Sequence, residues 1–486
     1  MTVKQIKNIG FISLGCPKNL VDSEQMLAAV IDAGYELVSD HSQADAIIIN
    51  TCGFLEASKD ESVEVINEAV AMKNKAKVQR VVAAGCLVQR HRAKLLQWCP
   101  GIDAMIGVFD RDHIVDSLKP ALINEETPSW ISSNALLAAR TRGNEHYKGY
   151  TEDDSKRFQL TPRHWAYLRL SEGCNQNCAF CTIPSIRGKM RSKPVETIVS
   201  EAKRLISSGV FELNLIGQDT TSYGRDIGYE DGLVGLLTEL NNTVANSGGG
   251  WIRLMYAYPS NFTDPMIDAI ATLPHIVKYI DIPLQHATDS ILTTMRRDVS
   301  AKTQLELLRK LRNLVPGIAI RTTMITGFPG ETQEDHQALI DFVSSQKFEA
   351  MGVFQYSAEE GTVAGSMEKD KRLRITEEIK QSREEELMLL QQTIAFETAA
   401  KRAENSCTFD VLLDEYLGKT GEGELHLYRG RTYHQAPVVD ACTIVMSENE
   451  RIVGELLECT ITDKDDYDML ARPTDEFERV VSLPLR

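Results

Sequence analysis

The alternation of short apolar runs with helix-like patterns constrains the fold of this 486-residue chain more than any other feature. In the first 120 residues each apolar run is followed by a segment whose apolar residues recur at helical spacing. Strands that alternate with helices form a parallel sheet with helices packed on its faces. The predicted strands are 9–14, 46–50, 81–85 and 104–108, and the predicted helices lie around 23–33, 61–71 and 92–98.

A second series of strand and helix patterns begins at residue 164. Its predicted strands are 165–170, 212–216, 251–257, 279–283, 319–325 and 350–356. Six β/α units predict a partial parallel barrel, and the chemistry of such barrels lies at the carboxyl ends of the strands. Polar residues follow these strands at Glu172, Gln218, Asp219, Tyr258, Gln285, His286, Gly327, Glu359 and Glu360.

The two series define the predicted α/β domain organisation. A parallel-sheet domain occupies 1–123, and a polar linker without periodicity occupies 124–160. The barrel occupies 161–402 and includes a long polar helix, whose stripe of Leu387, Leu390 and Ile394 is expected to pack on the barrel. Short alternating segments at 409–413, 425–427, 443–446 and 456–461 predict a small β-barrel at 403–475, followed by a tail at 476–486.

Composition limits the partners and the compartment. The net charge is −16, and residues 401–486 carry ten basic and eighteen acidic residues, so the surface as a whole repels a polyanion. No apolar stretch is long enough to span a bilayer and the N-terminus lacks a signal-peptide core, so we expect a cytoplasmic protein with no membrane contact. In a reducing compartment the ten cysteines are expected to be free thiols, catalytic residues or metal ligands rather than disulfides.

Three cysteines, Cys174, Cys178 and Cys181, form a C-x3-C-x2-C motif directly after the first predicted barrel strand. Three thiolates on one loop can each bind a different iron of a [4Fe-4S] cluster, which normally takes four ligands, so one iron is left open. An open metal position is typical of a catalytic site. The alternative is a zinc site that takes His164 as its fourth ligand.

Cys16, Cys52 and Cys86 each come just after a predicted strand of the first domain. Because parallel strands present their carboxyl ends at one edge of the sheet, these three thiols are expected to converge and to hold a second three-cysteine cluster. A single thiol is more often a buried apolar residue. That interpretation is kept for the remaining four cysteines, Cys99, Cys407, Cys442 and Cys459.

The cysteine loop, with Phe180 before its last cysteine, and the six β/α units resemble the radical S-adenosylmethionine superfamily over about 164–392. The resemblance implies that S-adenosylmethionine chelates the open iron and is cleaved by one electron to a 5′-deoxyadenosyl radical. It further implies that the segment around Gly327 approaches the adenine, and that Gln218 and Asp219 stand where the methionyl amino group is bound.

The three predicted domains together resemble the methylthiotransferases, which replace an inert C–H bond by C–SCH3. One branch of that family modifies tRNA adenosine and another modifies a side chain of ribosomal protein S12. The segments 13–24, 171–174, 183–189, 218–220 and 281–287 look like the S12 branch, as do 435–437 and 465–468. The resemblance implies two [4Fe-4S] clusters, two molecules of S-adenosylmethionine with different roles, a reducing electron donor, a sulfur donor, and methylthiolation of the β-carbon of an aspartate.

Chemistry supports a radical route, because the β-carbon beside an aspartyl carboxylate has no proton acidic enough for an ordinary general base. The acidic tail also suits a basic protein better than tRNA. The alternatives are the tRNA branch, whose basic patch would have to be 428–431, and a non-catalytic iron–sulfur protein. His164, His286, Glu359 and Glu360 are assigned structural roles and no catalytic role.

Overall fold

The computed structural model describes residues 5–75, 77–119, 127–141, 143, 154–421 and 425–481. It contains two parallel sheets and one closed barrel, in agreement with the predicted fold class. Within the described ranges, no helix has the length and apolar character needed to cross a membrane.

The N-terminal domain is a six-stranded parallel sheet with the strand order β2-β1-β3-β4-β5-β6. Its strands are β1 (Asn8–Ser13), β2 (Glu36–Leu37), β3 (Ala46–Thr51), β4 (Arg80–Gly85), β5 (Ala104–Ile106) and β6 (Ser129–Trp130). Its helices are α1 (Pro17–Asp32), α2 (Glu56–Asn74), α3 (Cys86–His91), α4 (Leu95–Trp98), α5 (Ile114–Ser117) and α6 (Ala135–Thr141). β3 and β4 are buried throughout, as expected for strands covered on both faces.

The segment 124–160, predicted as a linker, contributes regular structure to this domain. β6 extends the sheet beside β5, and α6 packs against Val108 and Ile186 through Ala135 and Ala138. Residues 124–126, 142 and 144–153 lie outside the described residues. The sequence does not reveal the short strand because two residues are too few to show a period.

The second domain is an open six-stranded parallel sheet in sequential order, as predicted for a partial barrel. Its strands are β7 (Trp165–Arg169), β10 (Glu212–Ile216), β11 (Trp251–Leu254), β12 (Ile276–Asp281), β13 (Ala319–Thr326) and β14 (Ala350–Gln355), and a separate small ribbon pairs β8 (Ser171–Glu172) with β9 (Arg191–Ser192). Its helices are α7 (Ile183–Arg187), α8 (Val195–Ser207), α9 (Gly232–Ala245), α10 (Asp264–Thr272), α11 (Asp289–Thr294), α12 (Ala301–Leu314), α13 (Gln333–Gln346), α14 (Val363–Met367) and α15 (Glu377–Glu404).

Two features show why these segments are helical. A capping box at the start of α13 pairs Thr332 with the backbone of Asp335 and returns the Asp335 carboxylate to the Thr332 amide, which satisfies two free N–H groups. In α15, Leu387 and Ile394 are buried in the barrel core, and Leu390 packs partly against it. The predicted packing of the long helix is confirmed.

The C-terminal module is a closed five-stranded barrel with the order β15-β16-β17-β19-β18. Its elements are β15 (Thr408–Lys419), β16 (His426–Arg431), β17 (Thr443–Ser447), β18 (Leu456–Asp465), β19 (Asp468–Pro473) and α16 (Thr474–Val481). The sequence analysis missed β19, and the described part of the predicted tail belongs to α16. Residues 482–486 lie outside the described residues. Short 3-10 turns lie at His41–Gln43, Arg92–Lys94, Arg111–His113, Thr220–Ser222, Arg225–Ile227 and Pro259–Asn261.

The N-terminal domain docks on the barrel through α1. Val21 of α1 is buried against Trp165, Tyr167 and Ile216 at the first two strands of the barrel. Beside this apolar contact, Asp22 accepts hydrogen bonds from Arg169 at 2.6 Å and from Arg187 at 2.9 Å. The contact therefore combines a dry core with buried charge pairs, which fix the relative position of the two sheets.

The C-terminal barrel is joined to the second domain by another buried charge network. Arg431 lies 2.6 Å from both Glu212 and Asp414. His164, just before the first barrel strand, lies 2.8 Å from Asp414. Buried charges that all have partners hold a specific geometry, because any displacement leaves one of them unpaired.

Candidate functional site

A cavity of about 660 Å³ lies between the N-terminal domain and the barrel. Its wall includes the six cysteines singled out from the sequence, namely Cys16, Cys52, Cys86, Cys174, Cys178 and Cys181. The first three come from the carboxyl ends of the adjacent strands β1, β3 and β4, and the others come from the loop after the β8 ribbon strand. Two groups of thiols from separate domains therefore face one cavity.

The backbone around the first three thiols leaves no room for extra side chains. Gly15, at φ +96°, would place a Cβ 2.9 Å from the Cβ of Cys52. A Cβ at Gly53 would lie 2.6 Å from the Cα of Leu87, and one at Gly85 would lie 2.3 Å from Asn50 Oδ1. Such close approach of backbone segments is a reason for glycine, and here it accompanies each cysteine.

The barrel loop is built in a similar way. Gly173, at φ +78°, would place a Cβ 2.3 Å from the carbonyl oxygen of Lys189. The backbone N–H of Gln176 donates to Cys174 Sγ at 3.4 Å, and the N–H of Ile183 donates to Cys181 Sγ at 3.5 Å. Arg297 donates to Cys178 Sγ at 3.5 Å. These donors favour thiolates in the loop.

Burial acts in the opposite direction on the thiols. It raises the pKa of Cys86 and of Cys181 to about 12, raises the pKa of Cys174 to about 11, and raises the pKa of Cys52. Thiols with raised pKa values are protonated at neutral pH unless a positive centre binds them, and a coordinated metal supplies that centre. Without such a centre these thiols do not suit the role of free nucleophilic thiolates.

Arg187 is the side chain that connects the two halves of the cavity wall. Its buried guanidinium donates to Cys86 Sγ at 3.3 Å and to Asn19 Oδ1 at 3.0 Å. It also donates to Asp22 at 2.9 Å and to Glu172 at 2.9 Å. Although burial opposes ionisation, these anionic neighbours hold the pKa of Arg187 above its usual range. Sequence analysis assigned no role to Arg187, because its partners lie far away in the chain.

Lys18 also lines the cavity and is almost fully buried. Its Nζ lies 3.2 Å from the centroid of the Tyr256 ring, in a cation–π contact. Burial lowers the pKa of Lys18. The sequence contained Lys18 next to Cys16, but no pattern distinguished it from a surface lysine.

Of the residues predicted to contact S-adenosylmethionine, Phe180 and Gln218 line the cavity. The side-chain nitrogen and oxygen of Gln218 are both buried without a hydrogen-bond partner in the described structure. Asp219 lies behind the wall, where it accepts a hydrogen bond from Gln176 at 2.8 Å and from Ser222 Oγ at 2.6 Å.

Gly327 also lies outside the cavity lining. At φ +70° it packs against α15, where a Cβ would lie 2.3 Å from Lys380 Cγ. The predicted cofactor contacts of Asp219 and Gly327 stay predictions, and the direct contact of Asp219 is with the loop that carries the cysteines.

Four polar residues noted in the sequence have structural partners or lie apart from the cavity wall. His164 pairs with Asp414, and Glu359 pairs with Arg90 at 2.8 Å across the domain boundary. Glu360 is exposed near Lys94. Burial lowers the pKa of His286 to about 4.

No three His, Cys, Asp or Glu side chains surround a single ion position anywhere in the described residues. A cluster that takes each thiol on a different iron does not require such convergence. All ten cysteines are free thiols, and Cys99 and Cys459 lie in apolar cores.

A loop of the C-terminal barrel completes the rim of the cavity. Val438 and Val439 belong to the cavity wall, and Val438 is 83% exposed at φ +72°, a conformation that is strained for a β-branched residue. Asp440 anchors the loop, because its carboxylate accepts from Tyr279 at 2.8 Å and from Arg321 at 3.1 Å. All three domains thus contribute to one site.

Three family descriptions match successive parts of the chain. Residues 8–107 match the uncharacterized protein family UPF0004, residues 168–343 match the radical SAM superfamily, and residues 407–473 match the TRAM domain. These three regions correspond to the three domains of the structure.

Curated relatives match the chain over nearly its whole length. The chain is 40% identical over 462 residues to the ribosomal protein uS12 methylthiotransferase RimO of Lachnoclostridium phytofermentans. The alignment covers 95% of this chain and 99% of that protein. The chain belongs to the RimO family. Another RimO, from Citrifermentans bemidjiense, is 38% identical over 475 residues and is covered over its whole length, with 98% of this chain. The RimO of Solibacter usitatus is 40% identical over 464 residues, or 95% of this chain and 94% of that protein.

Solved structures support the fold of this RimO family member. The radical S-adenosylmethionine methyltransferase TsrM from Kitasatospora setae, with cobalamin and a [4Fe-4S] cluster bound, superposes with a TM-score of 0.52. The match covers 74% of this chain and 77% of TsrM at 15% identity. At that identity the similarity concerns the fold alone.

Proposed function

We propose that the chain is a radical S-adenosylmethionine methylthiotransferase that adds a methylthio group to the β-carbon of an aspartate in ribosomal protein S12. The observation that carries the proposal is the single cavity, whose wall holds two groups of three thiols from two domains. A reaction that takes a hydrogen atom in one place and delivers sulfur in another needs both functions within reach of one substrate carbon. Membership in the RimO family supports the identity of the substrate.

The six thiols of the cavity wall support two [4Fe-4S] clusters as the proposed cofactors. Cys174, Cys178 and Cys181 would hold the cluster that binds S-adenosylmethionine, and the N-terminal trio would hold the second. Glycines give the backbone close approach at both groups, and the buried thiols need a positive centre to ionise. Three thiols per cluster leave one iron of each open.

When bound, the barrel cluster with S-adenosylmethionine supplies a carbon radical, and the second cluster supplies the methylsulfur group. The chain itself orients these groups. Arg187 holds the Cys86 side and the barrel loop in one geometry, because it bonds to residues of both domains. Arg297 holds Cys178 and stacks on the ring of Tyr258 at 4.2 Å.

Gln218 and Phe180 are proposed to contact S-adenosylmethionine. A buried amide with neither atom paired costs free energy, and a polar ligand removes that cost. Asp219 is proposed to act indirectly, because its carboxylate holds the side-chain amide of Gln176 in the cysteine loop. We keep Gly327 as a proposed approach point for the adenine.

The proposed protein partners follow from charge and from redox balance. Ribosomal protein S12, free or in the small subunit, is a basic substrate for a chain of net charge −16. The reaction also requires a reducing electron donor and a sulfur donor.

Mass spectrometry of S12 from cells with and without the gene tests the substrate. We expect one added SCH2 unit on an aspartate only when the gene is present. An unmodified S12 together with altered tRNA adenosine would overturn the proposal in favour of the tRNA reaction.

Cysteine variants test the division of labour between the two trios. Cys174→Ala is expected to abolish release of 5′-deoxyadenosine, whereas Cys86→Ala is expected to retain it and to lose methylthiolated product. Cys407→Ala, at a thiol outside the cavity, is the matched control and keeps both activities. Equal loss of 5′-deoxyadenosine in Cys174→Ala and Cys86→Ala would contradict separate roles.

A further inference from the structure

Lys18 is a cation inside the cavity that forms no ion pair with a carboxylate of the described residues. It lies in the first turn of α1, two residues after Cys16, and only 6% of its surface is exposed. Within the described chain no carboxylate oxygen lies within 4.0 Å of its Nζ, and its close neighbour is the face of the Tyr256 ring.

Two local rules are broken at this position. A cation in the first turn opposes the positive end of the helix dipole, and a buried lysine normally has a charged partner. Both departures cost stability, and among the described residues no carboxylate ion pair offsets that cost. Sites where a chain departs from such rules are characteristically functional.

The Tyr256 ring, which lies under the Lys18 ammonium, is held in place through the backbone of Tyr256. Tyr256 adopts φ +59°, which is strained for an aromatic residue. Its N–H donates to Asp281 at 3.1 Å, and its carbonyl oxygen accepts from the N–H of Thr220 at 3.1 Å. A strained conformation persists when its surroundings over-determine it, and here it sets the ring under the Lys18 ammonium.

The charge of the cavity wall selects for anions. Its described lining contains three cationic side chains, Lys18, Arg187 and Arg297, and no Asp or Glu. Arg187 is committed to Asp22 and Glu172, and Arg297 donates to the carbonyl oxygen of Pro283 at 2.6 Å. Lys18 is therefore the cation on the described wall that is available to a ligand.

We propose that Lys18 is a specificity-determining residue that binds the carboxylate of the acidic side chain being modified. The inference rests on the proposed function and deepens it. A carboxylate on Nζ supplies the missing counter-charge, and it holds the adjacent β-carbon in the space between the two thiol trios. An amide in place of the carboxylate lacks that charge, so Lys18 distinguishes aspartate from asparagine.

Binding measurements on the anaerobically reconstituted holoenzyme test this role. The probes are S12 with its target aspartate and S12 with that residue changed to asparagine. We expect the unaltered enzyme to bind the aspartate form about 10- to 100-fold more tightly, equivalent to about 1.4–2.8 kcal/mol. Lys18→Met, of similar length and without charge, is expected to remove this preference. Lys18→Arg is expected to keep part of it, and Lys302→Met, at an exposed lysine, to keep all of it.

Iron content and S-adenosylmethionine affinity are measured on the same variants, because the cofactor also carries a carboxylate. We expect both to be unchanged in Lys18→Met. A loss of iron would assign Lys18 to charge balance at the N-terminal cluster, and a loss of cofactor affinity alone would assign it to the cofactor carboxylate. Either result overturns the inference, as does an unchanged aspartate preference in Lys18→Met.

The failure of the inference differs from the failure of the proposed function. If the unaltered enzyme methylthiolates S12 and Lys18→Met retains the preference, only the role of Lys18 is wrong. If the unaltered enzyme never modifies S12, the proposed function is wrong and the role of Lys18 falls with it.

Discussion

Replacement of Arg187 by methionine is the substitution expected to weaken the contact between the N-terminal domain and the barrel most directly. The guanidinium lies 2.9 Å from Asp22 in α1 and 2.9 Å from Glu172 in the barrel, and all three side chains are buried. Removal of one member of a buried charge pair costs about 3–5 kcal/mol. Because Arg169 still pairs with both carboxylates at 2.6 Å, we expect a cost near the lower limit, about 3 kcal/mol.

Urea unfolding followed by tryptophan fluorescence measures this cost, since Trp165 lies in the apolar contact with α1. With a slope of about 3 kcal/mol/M, the midpoint of the transition should fall by about 1 M. The matched control is Arg225→Met. Arg225 is exposed, and its side chain bonds only to Asn261, at 3.2 Å, among the described residues, so the midpoint of this variant should move by no more than about 0.2 M.

Equal midpoints for Arg187→Met and Arg225→Met would refute the reasoning. Such a result would mean that Arg169 alone satisfies both carboxylates, and that the network contributes nothing beyond the apolar contact. If Arg187→Met lowers the urea midpoint and leaves the iron content unchanged, then Arg187 stabilises the contact between the domains and is not needed to hold the clusters.

Three further outcomes follow from single residues. In Gly85→Ala the new Cβ would lie 2.3 Å from Asn50 Oδ1 at a positive φ, so iron analysis should show about half of the iron lost, and full retention would contradict the close-approach argument. Burial raises the pKa of Glu172, but Arg187 and Arg169 outweigh burial and hold this pKa far below its usual range. The ionised Glu172 therefore stabilises the fold above about pH 4.3, and this stabilisation is lost as the pH falls toward the pKa of Glu172 in the folded protein. The urea midpoint should accordingly decrease between pH 5 and pH 3, and by less in Arg187→Met. Gln218→Met should change the free energy of unfolding by no more than about 0.5 kcal/mol, while equilibrium dialysis shows about tenfold weaker binding of S-adenosylmethionine. Unchanged binding would remove Gln218 from the cofactor site.

Periodicity predicted the features of the fold that depend on neighbouring residues. The strands that carry the cysteines begin and end within a residue or two of the predicted positions, because each is a continuous apolar run bounded by glycine or polar residues. The two-residue strand β6 and the late strand β19 were missed, since their pairing is decided by the sheet they join. Their sequences show no independent signal.

The cysteine positions could be predicted for a similar reason. Strand direction places Cys16, Cys52 and Cys86 at one edge, and the structure brings them to the same cavity as the barrel loop. The side chains that support the thiols could not be found in this way. Arg187 and Asp22 are separated by 165 residues, and their contact exists only after two domains have docked.

The strained loop around Val438 has a consequence for the modular view of this chain. Because the C-terminal barrel supplies part of the enclosure in which the thiols lie, it is not an appendage that tethers a partner at a distance. An exchange of this barrel between two relatives would replace a section of the reaction chamber together with the surface outside it. The selectivity of the exchanged protein for its target would therefore depend on the combination of domains and not on any single domain.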